Sequence, residues 1–188
     1  SKVVKKRACI FISGTGSNLK SIIKYSREYN FPIKVALVVS NKKEANGINF
    51  AKKFSIPYRI FNLNKYEFEK AAIKELRERK IDLLCLAGFM KVLTKNFIRS
   101  FRGKIINIHP SLLPKYKGLN TFQKALEKGD KITGCTVHWV NEKLDSGRII
   151  IKKRVKIKTG ENLEILKKKV QKEEHKAYSM AIRRIYLN

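Results

Sequence analysis

The sequence predicts an α/β fold: a three-layer, doubly wound, mostly parallel sheet with an antiparallel final strand pair and a long C-terminal helix. Unbroken apolar strands alternate with amphipathic stretches from one end to the other, which implies a sheet covered on both faces. The loop Asn141–Arg148 is too short for a parallel crossover, so the last two strands run antiparallel. In order, Ala8–Ile12 reads as a fully buried strand, followed by a helix over Asn18–Tyr29. A strand at Lys34–Val39, a helix at Ala45–Phe54 and a short strand at Tyr58–Phe61 come next. A long helix over Lys65–Lys80 precedes the buried strand Leu83–Leu86, and Thr94 caps a short helix ending at Ser100. Lys104–Ile108 is a strand, Thr121–Lys128 a helix, Ile132–Val140 and Ile149–Val155 strands, and Asn162–Leu187 the terminal helix.

At 188 residues and 43% hydrophobic, the chain supports one core, and residues 1–188 are expected to form a single domain. No apolar run approaches the ~18 residues of a membrane span. The basic start Ser1–Arg7 leads into a strand-like run and not a signal peptide. Cys9, Cys85 and Cys135 are far apart in apolar segments. Their odd number and spacing argue against a disulfide framework and against zinc, and three reduced thiols fit a cytoplasmic enzyme. The net charge of +28, from 43 Lys+Arg against 15 Asp+Glu, raises nucleic-acid binding. The cations are spread along the chain, clustering only at Lys152–Lys158 and Lys167–Lys169, and no recognised RNA- or DNA-binding motif appears. A solvated lysine surface that attracts small anionic substrates is preferred to a dedicated nucleic-acid partner.

Three constellations carry chemistry, each at the end of a strand, where open α/β sheets bind ligands. In Asn107-Ile108-His109-Pro110, strand alternation puts 107 and 109 on one face. Asn107 can donate to a developing oxyanion and His109 can move a proton near neutral pH. Pro110 biases His109 toward extended backbone and stops pairing. The plainer reading is a strand end with a satisfied polar pair. Ser13-Gly14-Thr15-Gly16-Ser17-Asn18-Leu19 opens the first helix, where backbone N–H groups suit a phosphate. It is no Walker A loop, and Leu19 stands where GxGxxG needs its third glycine. A small phosphomonoester is therefore favoured over a dinucleotide, with an ordinary glycine turn as the plainer reading. Leu86–Leu93 offers Gly88 and an apolar wall suited to a flat ring, although such loops are more often core. Asp145, in an Asp-Ser-Gly turn, would stabilise an imidazolium at His109. His138 reads as a structural strand histidine. The spacing of the three histidines makes a metal site unexpected.

Taken together, SGTGSNL at 13–19, Ser40-Asn41-Lys42, LAGFMKVL at 86–93, NIHPSLLPKYKGL at 107–119, TVHWVNEKLDSG at 136–147 and QKEEH at 171–175 resemble the phosphoribosylglycinamide formyltransferases, a Rossmann-like formyltransferase family. The resemblance implies transfer of the formyl group of 10-formyltetrahydrofolate, as co-substrate, to the amine of glycinamide ribonucleotide in de novo purine biosynthesis. It implies Asn107, His109 and Asp145 as catalytic residues. Gly16, Ser17, Asn18, Gln171, Lys172, Glu173 and Glu174 would bind the ribonucleotide. Lys65, Met90, Lys91, Val92, Leu93, Asn107, Asn141, Glu142, Lys143, Leu144 and Asp145 would bind folate. It also implies a cis Leu113–Pro114 bond, needs no metal, nucleic acid or membrane, and admits a homodimer. The chain departs from the family's pattern at Asn120-Thr121-Phe122 and Ser146.

Two related families share the SLLP run. Initiator methionyl-tRNA formyltransferases would suit the positive charge but are expected to be longer, with an RNA-binding domain. Formyltetrahydrofolate hydrolases are expected to have an N-terminal regulatory domain. Outside enzymology, the alternative is a basic polyanion-binding module.

Overall fold

A computed structural model describes residues 4–187; Ser1–Val3 of the basic start, and Asn188, lie outside the described residues. The elements in chain order are β1 (Lys6–Ile12), α1 (Ser17–Ser26), β2 (Ile33–Ser40), α2 (Ile48–Lys53), β3 (Tyr58–Ile60), α3 (Lys65–Glu78) and β4 (Leu83–Leu86). They continue with α4 (Lys95–Ser100), β5 (Lys104–His109), α5 (Thr121–Glu127), β6 (Ile132–Trp139), β7 (Ile149–Lys156) and α6 (Leu163–Leu187). The strand order is β3-β2-β1-β4-β5-β6-β7. Among the described residues, no helix is long and apolar enough to cross a membrane.

The chain divides into two compact units, one reaching to Ile106 and one running from Asn107 to Tyr186, so β5 begins in the first and ends in the second. In the first unit β1 pairs in parallel with β2 and with β4, and β2 in parallel with β3. Every residue from Ala8 to Ile12 is fully buried. Side chains on both faces of β1 are therefore covered, as the continuous apolar run requires. Phe11 lies at the centre, its ring 5.6 Å from Phe68 edge-on, 5.3 Å from Phe89 and 6.1 Å from Phe97. Strand order reverses at β1, with β2 on one side and β4 on the other, which puts the loops after β1 and β4 at a topological switch point.

In the second unit β6 and β7 are antiparallel, and the register slips between Val137 and His138, leaving Ile150 of β7 without an opposite residue. Such a bulge re-aims the neighbouring side chain, here His138. The 25-residue α6 buries Leu166, Val170, Ala177, Tyr178, Ala181 and Ile182 completely, at the three- and four-residue spacings of one helix face. Its cations also cover β7: Arg184 Nη1 donates to the Ile150 carbonyl at 2.5 Å and Lys169 Nζ to that of Lys156 at 2.7 Å. Groups on an edge strand need such cover.

Two predicted helices come out shorter. The second was expected from Ala45 but starts at Ile48. Gly47 N–H donates to the Gly14 carbonyl at 3.0 Å, and a Cβ on Gly47 would meet Gly16 Cα at 3.0 Å; that contact holds 45–47 in a turn. The first ends at Ser26 and not Tyr29, because Arg27 and Glu28 N–H turn back three residues to Lys24 and Tyr25 carbonyls. The three cysteines form no disulfide and are buried. Burial pushes the Cys9 thiol well up, and the Cys135 thiol up to about 12, with the Glu174 charge adding to the latter.

Candidate active site

β5 runs to His109, one residue past the Ile108 end expected from the sequence, and stops directly before Pro110. His109 and Asp145 are buried, and Asn107 is half-buried. His109 Nε2 lies 2.8 Å from the Tyr116 carbonyl oxygen. A carbonyl only accepts, so Nε2 carries the hydrogen and Nδ1 is the nitrogen left to exchange a proton. Nδ1 is 3.5 Å from Asp145 Oδ2, a charge contact longer than a strong hydrogen bond. That carboxylate oxygen also accepts the Gly118 N–H at 2.9 Å.

Asp145 is held in left-handed backbone, φ 49°, in the turn that returns to β7. Gly147 allows this: a Cβ there would lie 1.5 Å from the Trp139 carbonyl oxygen. The same carbonyl accepts from His138 Nδ1 at 3.0 Å. His138 therefore keeps its hydrogen on Nδ1 and presents a lone pair at Nε2, which meets Asn107 Nδ2 at 3.5 Å. Burial pushes the His138 pKa below its ordinary 6.5, against the Trp139 carbonyl and the Asp145 charge, with His109 lowering it slightly. A neutral ring accepts from the amide, and the 3.8 Å approach of Asp145 Oδ1 to Nε2 then joins two acceptors and is no hydrogen bond. Asn107 and Asp145 thus both approach His138, a residue that its place as a lone histidine in a strand marked as structural. The Asn141–Leu144 stretch is exposed and turned by Lys143 N–H donating to Asn141 Oδ1 at 2.9 Å. The Leu113–Pro114 bond is cis.

In the first unit, Gly16 precedes α1 with φ 73°, and a Cβ there would meet Gly47 Cα at 2.6 Å. The residue must be glycine on both counts. No side chain of residue 16 caps α1 and no acidic residue occupies its first turn, an arrangement in which main-chain N–H groups can meet an anion. Ser13 ties this loop to the wall after β4. Its N–H donates to the Gly88 carbonyl at 3.1 Å, its hydroxyl donates to Asn41 Oδ1 at 2.6 Å, and Met90 N–H donates to that hydroxyl at 2.8 Å. The expected wall residues Lys91, Val92 and Leu93 share with Lys65, Phe68 and Phe89 a shallow open pocket, whose other lining residues are Asn41, Leu63 and Glu69. Met90 and Val92 are more than half exposed, which suits a surface covered only when a ligand binds. Neither Ser13 nor Asn41 was singled out from the sequence as a site residue, and a buried Ser–Asn pair across two strand ends gives no periodic signal.

On α6, Glu174 is buried one helical turn from both Val170 and Tyr178, so a carboxylate interrupts an apolar stripe, which is visible in the sequence. Gln171 and Glu173 are half-buried, Lys172 is exposed, and Glu173 pairs with Lys176 at 3.3 Å.

The mostly parallel sheet with this switch point is of the doubly wound α/β enzyme class, and an amide and an imidazole at the end of β5 meet a carboxylate from the β6–β7 turn. The chain belongs to the formyl transferase family, which it matches over residues 6–182. It is 42% identical over 182 residues to the phosphoribosylglycinamide formyltransferase of Haemophilus influenzae, covering 95% of this chain and 86% of that protein. It is 43% identical to the human trifunctional purine biosynthetic protein adenosine-3, covering 95% of this chain but only 18% of that protein. The crystal structure of phosphoribosylglycinamide formyltransferase from Brucella melitensis superposes with a TM-score of 0.92 at 39% identity, covering 97% of this chain and 96% of that one.

Proposed function

We propose that this chain transfers the formyl group of 10-formyltetrahydrofolate to the amine of N1-(5-phosphoribosyl)glycinamide, as one domain acting in the cytoplasm on small-molecule substrates. The observation that carries the reading is the His109 ring, fixed through Nε2 to a carbonyl with Nδ1 facing Asp145. The names of relatives close to this chain's own length support the acceptor, and the name of the longer trifunctional purine biosynthetic protein supports the place in purine synthesis.

The amine nitrogen attacks the formyl carbon, a C–N bond forms, and the carbonyl oxygen becomes an oxyanion. Asn107 has two amide hydrogens; His138 takes one, and the other meets the oxyanion, a donor typically worth ~10²–10³ in rate. His109 Nδ1 takes the proton lost by the attacking nitrogen, directly or through water, and Asp145 balances the resulting charge. The proton then goes to the folate nitrogen as its bond to the formyl carbon breaks, giving the formylated amine and tetrahydrofolate. In the first unit the N–H groups of Gly16–Asn18 hold the phosphate; in the second, Gln171–Glu174 are the residues for the ribonucleotide. In the first unit Lys65 and Met90–Leu93 are the residues for the folate, Lys65 and Lys91 suiting its acidic end; in the second, Asn141–Leu144 are further folate residues.

The test offers radiolabelled formyl donor with glycinamide ribonucleotide, initiator methionyl-tRNA or water alone. Label should pass to the ribonucleotide. Label on tRNA only, or release as formate at the same rate without acceptor, would overturn the assignment.

A further inference from the structure

His109 Nε2 is held by one main-chain carbonyl, that of Tyr116, which Ser111 Oγ also approaches at 3.3 Å while donating to the Lys115 carbonyl at 2.5 Å. Tyr116 has φ 55°, a left-handed conformation that a bulky residue keeps only when its surroundings over-determine it. Those surroundings are specific. The Tyr116 hydroxyl donates to Asp130 Oδ2 at 2.6 Å, and Lys115 Nζ reaches the same oxygen at 3.0 Å. The ammonium groups of Lys115 and Lys128 stand 5.1 and 5.3 Å from the centroid of the Tyr116 ring. Asp130 follows α5 directly, its N–H bonded to the Ala125 carbonyl at 3.0 Å, so the phenol is anchored to a helix end.

We propose that Tyr116 and Asp130 are positioning residues for His109: the phenol–carboxylate bond fixes the Tyr116 carbonyl, which fixes the imidazole as the Nε2–H tautomer with Nδ1 toward Asp145. This rests on the reading of His109 as the proton carrier. The tautomer matters because a neutral ring with its hydrogen on Nδ1 has no lone pair there to take the amine's proton. Neither residue touches the reacting atoms, and their influence passes through backbone.

The test uses the full chain with ¹⁵N-labelled histidine. Imidazole nitrogen shifts are recorded above the pH at which the ring titrates, with His109→Ala to assign the signals, alongside kcat and both KM values. Wild type should show Nε2–H at residue 109. Tyr116→Phe keeps the ring between its lysines but loses the donor. It should move the signals toward a tautomer mixture and lower kcat about tenfold, with both KM values within about twofold. Asp130→Asn keeps an acceptor for the phenol and should give the same changes in smaller measure, which also serves if Tyr116→Phe does not fold. Unchanged tautomer signals in both variants overturn the proposal, whether or not kcat falls, since a merely structural role would lower rate without altering the tautomer. If the wild type transfers no formyl group the functional reading fails, while the tautomer comparison still decides the role of the pin.

Discussion

The residues around His109 are held by side chain to main chain, whereas the close approach of the loop before α1 to Gly47 is made main chain to main chain. His109, His138 and Asp145 each bond a backbone group, of Tyr116, Trp139 and Gly118 respectively. The Gly14–Asn18 loop is instead fixed by bonds such as Gly47 N–H to the Gly14 carbonyl and by glycine facing glycine at 16 and 47. Proton transfer needs a particular atom in a particular tautomer, which only an anchored side chain supplies. Phosphate binding needs N–H groups that every residue except proline has. The two regions should therefore respond to substitution in different ways.

The largest expected effect lies in the first region. Asn107→Ala should lower kcat by ~10²–10³, and Asp145→Asn, which keeps an acceptor for Gly118 N–H, by about 10². Both should leave the unfolding transition close to wild type, as followed by steady-state kinetics and thermal melts. Equal losses from KM alone would erase the contrast between the regions.

In the loop, backbone geometry should decide. Gly16→Ala combines a φ of 73° with a 2.6 Å clash, and is expected to cost about 1–3 kcal/mol of stability and to raise KM for the ribonucleotide with little change in kcat. Gly14→Ala meets nothing within 4 Å and should behave as wild type. If the two variants are indistinguishable in denaturant titrations and KM, the close glycine contact does not shape the loop.

The smallest effect is a pH dependence. His138 is held below its ordinary 6.5 mainly by burial, and burial lowers His175 in the same direction. Below pH ~6.5 the unfolded chain binds protons that the folded chain refuses, so stability present above that pH is lost as pH falls toward the lowered folded values. Urea midpoints measured from pH 7.5 downward should decline from about 6.5, and His138→Gln should remove part of that slope. A slope unaffected by this substitution would mean that the folded ring takes a proton as readily as the unfolded one, and that burial does not keep it a neutral acceptor for Asn107 N–H.

The strands were legible because burial on both faces writes an unbroken apolar run, and the β6–β7 pairing because its loop is too short for anything but an antiparallel return. Asn107 and His109 were legible through strand alternation, and Glu174 is visible as a charge inside an apolar stripe. The start of α2 was not, since the approach of Gly47 to Gly16 is tertiary and leaves no periodicity. His138 and Tyr116 were not, because what matters is the carbonyl each meets or supplies: Trp139 for one ring, Tyr116 itself for the other. Main-chain carbonyls are identical at every position, so no residue type announces which of them will set a tautomer.

The most direct measurement is single-turnover transfer of labelled formyl from 10-formyltetrahydrofolate to glycinamide ribonucleotide, comparing wild type with His109→Ala at saturating concentrations of both. Wild type should transfer the label, and the variant should do so ~10²–10⁴ times more slowly while melting at nearly the same temperature. Transfer by His109→Ala within a fewfold of wild type would contradict the account, because the proton would then be moving without the ring that the second unit is built to hold.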